Sequence, residues 1–169
     1  MDLERVDRIT TDAIGEPGSR TFYLQARRAA ELVTVILEKE QVRLLSASIL
    51  ELLQRVGRET EAGGIPDEAL GLEEPVNPSW RAGRLMLSYE EDRDLLLLEV
   101  EELVPEEEGE RDAGELHLSA TREQMLALAR HGAAAVAGGR PTCPFCGNPM
   151  DPEGHWCPAT NGHREFGSV

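Results

Sequence analysis

Lysine is almost missing from this 169-residue chain: of its seventeen basic residues sixteen are arginine, and the other is Lys39. Basic residues of either kind are outnumbered by 32 acidic ones, leaving a formal net charge of −15. That balance argues against a generic surface for nucleic acid or anionic lipid. Aromatic residues make up only 4% of the chain, so a core must be built from aliphatic side chains. Long apolar runs are lacking too. The most apolar segments, Leu32 to Leu37 and Leu95 to Leu98, have strand length, far below the ~20 residues needed to cross a bilayer. The opening Met1-Asp2-Leu3-Glu4-Arg5 has no apolar stretch of the secretory kind, and a cytoplasmic location is expected. Cysteine is scarce and badly placed for disulfides. All three lie between positions 143 and 157, which is metal-site spacing in a reducing compartment, whereas a disulfide-stapled domain carries an even and larger number.

What is present suffices for an ordinary domain. With 40% hydrophobic residues the chain can bury a core. The negative charge is concentrated: residues 58–115 hold 19 acidic and 5 basic side chains, while the first thirty residues hold five of each sign. Such a run reads as solvated, acid-rich loops or as a docking surface for a basic partner.

Periodicity predicts the elements. Leu3 to Ile14 alternates weakly, as an edge strand does. After the turn signal Gly15-Glu16-Pro17-Gly18, Thr21 to Gln25 alternates, and Leu32 to Leu37 is β-branched and nearly all apolar, as a central strand would be. Val42, Leu45, Ile49, Leu52 and Val56 then recur at three- and four-residue steps, predicting a helix from about Lys39 to Val56 that Gly57 stops. A Gly-, Pro- and acid-rich loop follows. Leu85 to Tyr89, a turn at 90–94, Leu95 to Val100 and a half-exposed strand around Leu116 and Leu118 form a second strand group. Thr121-Arg122-Glu123-Gln124 is a capping box opening a second helix to about Val136.

The expected fold class is therefore α+β, with two βββα halves and antiparallel sheets. The junctions match at an offset of 83 residues, Lys39-Glu40-Gln41-Val42 over Arg122-Glu123-Gln124-Met125, and Leu45 over Leu128, which raises the possibility of an internal duplication. The expected organisation is an α+β domain over 1–138, with halves 1–57 and 79–138 and an acidic loop 58–78 between, then a metal-binding segment over 139–169. A cleft is expected where the halves meet.

Cys143-Pro144-Phe145-Cys146-Gly147 is a zinc knuckle: two residues between the cysteines let both thiolates reach one ion, and glycine eases the turn behind them. Cys157 supplies a third thiolate. The spacing leaves the fourth position to His155 first, then to His163 or to a water ligand. Structural zinc is the expected cofactor. Catalytic zinc of the base-deaminase kind is disfavoured, because the one His-x-Glu, His163 to Glu165, lies downstream of the cysteines and not upstream. His117 and His131 read as surface residues. The Gly15 to Arg20 loop, with Arg20 at its end and Arg27 and Arg28 one strand away, is a candidate anion or ligand site.

Several segments together resemble the DUF 3090 family, a bacterial family of unknown function. They are Gly15 to Gln25, Leu37 to Val42, Gly139-Arg140-Pro141 leading into Cys143 to Gly147, and Asp151 to Pro158 continuing to Asn161-Gly162. The resemblance covers nearly the whole chain and implies no reaction. The family's ending has a His-x-Cys where His155 and Cys157 stand, which implies His155 as the fourth ligand. Its genes often lie beside those of a histidine-phosphatase-like and a kinase-like protein, which implies a shared pathway. The expected function is a non-catalytic binding or adaptor protein with structural zinc and a protein partner. The alternatives are an enzyme or small-molecule binder using the cleft between halves, with Arg20 taking an anion, and nucleic-acid binding through the knuckle. The last is disfavoured by two basic against three acidic residues in 139–169.

Overall fold

The structure, a computed structural model, describes residues 1–61, 63–139, 143–148, 150 and 155–160. His163, Arg140 and the turn at 151–154, all singled out in the sequence, lie outside the described residues. Seven strands and two helices follow one another as β1 (Asp2–Leu3), β2 (Arg8–Ile14), β3 (Thr21–Arg28), β4 (Glu31–Leu37), α1 (Lys39–Val56), β5 (Ala82–Glu90), β6 (Leu95–Glu102), β7 (Glu115–Thr121) and α2 (Arg122–Ala137). Strands β2-β3-β4 form one antiparallel sheet. The other sheet has the order β1-β7-β6-β5, antiparallel except for β1. The fold is mixed α+β, with the element order βββα twice over.

The helices form where the periodicity puts them. In α1 the buried positions Val42, Leu45, Ile49 and Leu53 make one stripe, and Gly57 ends it in the left-handed conformation (φ 71°) with its N–H on the Leu53 carbonyl at 3.3 Å. In α2 the Thr121 hydroxyl accepts the Gln124 N–H at 3.1 Å, while Gln124 Oε1 accepts the Thr121 N–H at 2.9 Å. The core between helices and sheets is aliphatic, drawn from both halves: Leu24, Val35, Leu96, Leu98, Met125 and Leu128 among others.

The segment 3–14, expected as one edge strand, is two strands in different sheets. Arg5 takes a positive φ of 42° and breaks it. β2 stays with β3, but β1 runs parallel to β7, where His117 N–H donates to the Met1 carbonyl and Val6 N–H to that of Ser119, each at 2.8 Å. The other half does the same. Ahead of β5, Ser79 N–H donates to the Thr34 carbonyl on β4, and Ile36 N–H to Trp80, each at 2.9 Å, with a parallel bridge at Arg81. Thr34 and Ile36 stand 83 positions before His117 and Ser119, so each half's last strand is extended by the chain that leads into the other half's first strand.

The helix caps repeat the exchange. Gln41 Nε2 donates to the carbonyls of Ala82 and Gly83 at 3.1 Å each, at the start of β5. Gln124 Nε2 donates to Val6 at 3.0 Å and Asp7 at 3.2 Å, on the approach to β2. One glutamine in each helix thus caps its own helix and grips the opposite half.

Two departures from symmetry matter. First, the loop after α1 is not a solvated linker. Its short 3₁₀ turn, Asp67–Leu70, buries Leu70, and the loop lies over the outer face of the β2-β3-β4 sheet. There Gln25 Nε2 donates to the Glu73 carbonyl at 3.0 Å and Gln25 Oε1 accepts the Glu73 N–H at 2.7 Å, so Thr10, Gln25 and Thr34 are all buried. In the equivalent row of the second sheet Met86 is exposed and Glu99 and His117 are half-exposed. Second, α2 closes tightly on β2 and α1. A Cβ on Gly132 would meet Thr11 Cγ2 at 2.6 Å, Ser46 Oγ at 2.8 Å and Val42 Cγ1 at 3.3 Å.

His131 is not the surface residue the sequence suggested. It bridges Asp12 on β2 (3.1 Å) and Asp67 of the loop (3.0 Å) with only 16% of its side chain exposed. Burial pushes its pKa down, but the two carboxylates outweigh that and hold it above the ordinary histidine value.

Two outcomes follow from this packing. Gly132→Ala should destabilise the protein by about 1–3 kcal/mol through overpacking, read from urea unfolding; wild-type stability in that variant would contradict the close approach. Because the His131 pKa is raised in the folded state, its contribution is full below the unfolded value of about 6.5 and fades as pH rises through the folded value. His131→Gln should therefore lower the melting temperature clearly at pH 6 and much less at pH 8.5.

Candidate metal centre

The tail after α2 builds its site from a hydrogen-bonded turn. Gly147 N–H donates to the Cys143 carbonyl at 2.9 Å, and Cys143 N–H to that of Asn148 at 2.8 Å. Gly147 takes φ 75°, which explains a glycine after the second cysteine. Phe145 N–H points at Cys143 Sγ at 3.4 Å. The turn therefore presents both sulfurs inward, as a two-residue spacing allows.

The second strip of chain brings His155 and Cys157 to the same place. Cys143 Sγ and Cys157 Sγ are 3.8 Å apart, Cys146 Sγ and His155 Nε2 are 3.3 Å apart, and all four donor atoms lie within 4.8 Å of one another. No disulfide joins the sulfurs. A tetrahedral ion with metal–sulfur bonds of about 2.3 Å needs sulfurs about 3.8 Å apart. The donors thus fit one small tetrahedral cation. Cys143 and Cys157 are buried, and neither belongs to the aliphatic core cluster. Phe145 and Trp156, each beside a donor residue, are 60% and 66% exposed.

The family model described as "Protein of unknown function (DUF3090)" matches residues 1–157. The chain belongs to that family. The match contains all four donor residues and ends on Cys157, leaving His163 outside it. No curated protein and no solved structure matches the chain. Among the described residues no helix of this DUF3090 member is long and apolar enough to cross a membrane.

The arginines named from the sequence do not share a site. Arg20 precedes β3, while Arg27 and Arg28 end that eight-residue strand. Arg27 Nε donates to Glu73 at 3.2 Å, tying down the covering loop, and Arg28 is exposed. Arg20 faces instead a cavity of about 450 Å³ shared with Lys39 and Arg81, two cations the sequence reading passed over. Lys39, as the one lysine at the start of a helix, was the available signal. His117 is on an exposed sheet face, as expected.

A metal held there should order the tail and not the body, because among the described residues the core cluster contains none beyond Val136. Chelation should erase hydrogen-exchange protection at the Cys143 and Gly147 amides while β3 and β4 keep theirs. Global loss of protection would contradict this separation.

Proposed function

We propose that the protein is a non-catalytic binding or adaptor protein whose C-terminal segment is ordered by a structural zinc ion on Cys143, Cys146, His155 and Cys157. The convergence of four donor atoms within 4.8 Å carries the reading. Four protein ligands leave no open coordination position for substrate or water, and three thiolates with one imidazole are a donor set suited to zinc. Binding of this kind is worth on the order of 10 kcal/mol, enough to order a short segment that has little core of its own.

The adaptor role draws support from an open groove of about 550 Å³ between α1 and β5, whose floor and wall include Leu44, Leu45, Leu52, Leu85 and Leu87. Leu44 is 50% exposed. β5 is the edge of its sheet, so its outer backbone groups are available to an added strand. An extended, leucine-bearing segment of a partner protein suits both features. The histidine-phosphatase-like and kinase-like proteins linked to the family by gene order are the first partners to try.

Elemental analysis of the protein from its native host should give one zinc per chain, falling to near zero in Cys146→Ser. A folded, protected tail without metal would overturn the zinc assignment. For the partner, binding to the two candidates should drop at least tenfold in Leu44→Asp, a change at an exposed position; a complex with either that ignores Leu44→Asp rules out the groove.

A further inference from the structure

A cavity that shares no residue with the Cys and His cluster lies where the halves meet. The cavity holding Arg20, Lys39 and Arg81 is bounded by Gly18, by Glu38 at the start of α1 and by Gly139 after α2. Three cations around one space are unusual in a chain of net charge −15.

Their geometry is more telling than their number. Arg20 Nη2 and Lys39 Nζ lie 2.9 and 3.1 Å from the point where a Cβ on Gly139 would stand, so the two charged groups are within about 6 Å of each other. Like charges that close repel each other, and an anion between or beside them would remove that repulsion. Among the described residues no carboxylate pairs with either one. Glu38, the acidic residue in the lining, is paired with Arg81. Arg20 is also held ready: Nη1 donates to the Ala135 carbonyl at 2.6 Å, and the guanidinium sits over the Phe22 ring at 4.9 Å. One edge of the fork is fixed by protein, and Nη2 is left toward the cavity. The glycine at 139 keeps the approach clear.

We propose that this cavity binds a small doubly charged oxyanion, a phosphate or phosphate monoester, between the Arg20 guanidinium and the Lys39 ammonium, with Arg81 at the rim. A guanidinium fork matches two oxygens of such a group, and the ammonium supplies a point charge to the third. One negative charge would leave the three cations and Glu38 with a surplus, which favours a dianion over a monocarboxylate. The volume exceeds that of phosphate alone and leaves room for an ester group.

The test uses the full zinc-loaded chain at low ionic strength, titrated with inorganic phosphate and with glycerol phosphate by calorimetry. Saturable binding at one site per chain is expected, weakened about tenfold by Lys39→Gln and by Arg81→Gln, the scale of one charge-assisted hydrogen bond. Arg28→Gln, an exposed arginine beyond the cavity, should bind as wild type. Both informative substitutions are at exposed positions, and unchanged melting temperatures without ligand would show that the fold is kept. The amides of Gly18 and Gly139 should shift with ligand in NMR spectra. Tighter binding of glycerol phosphate identifies a monoester site, and equal binding a site for phosphate itself. No saturable binding, or equal affinity in wild type and Lys39→Gln, overturns the proposal.

Discussion

Gln41 and Gln124 each spend one side chain on two tasks, capping the helix they belong to and donating to the backbone that enters the opposite half. The remaining architecture depends on that double use. A helix cap is ordinarily a local matter worth about 1 kcal/mol. Here the same amide fixes where the neighbouring half begins, and the parallel strand pairs beside it then complete each sheet with foreign chain. Neither half can present a finished edge alone, because the last strand of each is finished by the other.

Within that near-symmetric frame, the groove and the cationic cavity lie where the symmetry fails. The ladders put Thr11 of β2 and Leu87 of β5 at matching places, since Thr11 pairs across to Leu24 and Val35, and Leu87 to Leu98 and Leu118. Gly132 in α2 matches Ile49 in α1 by the 83-residue offset. A glycine against a threonine lets α2 settle onto β2. Isoleucine and leucine stand at the matching places of the other pair, where α1 meets β5 beside the open groove. The cationic cavity is similarly one-sided, because lysine stands at the start of α1 while the arginine that opens α2 is taken by Asp94 at 2.7 Å. That pairing, with the Tyr89 hydroxyl adding to it, holds the Asp94 carboxyl far below its usual range.

Much of the architecture was legible in the sequence because it rests on local rules. The bounds of α1, the capping box of α2, the strand-length apolar runs and the cysteine knuckle each follow from spacing within a few residues. What escaped depends on distant partners. The break at Arg5 is invisible to alternation, since Leu3 and Ile9 are both buried but in different sheets. The acidic loop looked solvated because its charges dominate its composition. Yet Leu70 and the polar row Thr10, Gln25 and Thr34 tell of a covered face, because a sheet face lined by small polar groups can be sealed by backbone. The metal donors were legible as a set, whereas the grouping of Arg20 with Lys39 and Arg81 required the two halves to be docked.

The exchanged strand at the start of the chain has a consequence for how the molecule is made. The partner of β1, β7, is synthesised more than a hundred residues after it. Until β7 arrives, the first half can pair β2, β3 and β4 but holds its leading segment idle. The edge of β4 waits likewise for residues 79–81. Each sheet is therefore completed only by closing a long loop, of about 45 residues at β4 and more than a hundred at β1, and such distant pairings slow folding.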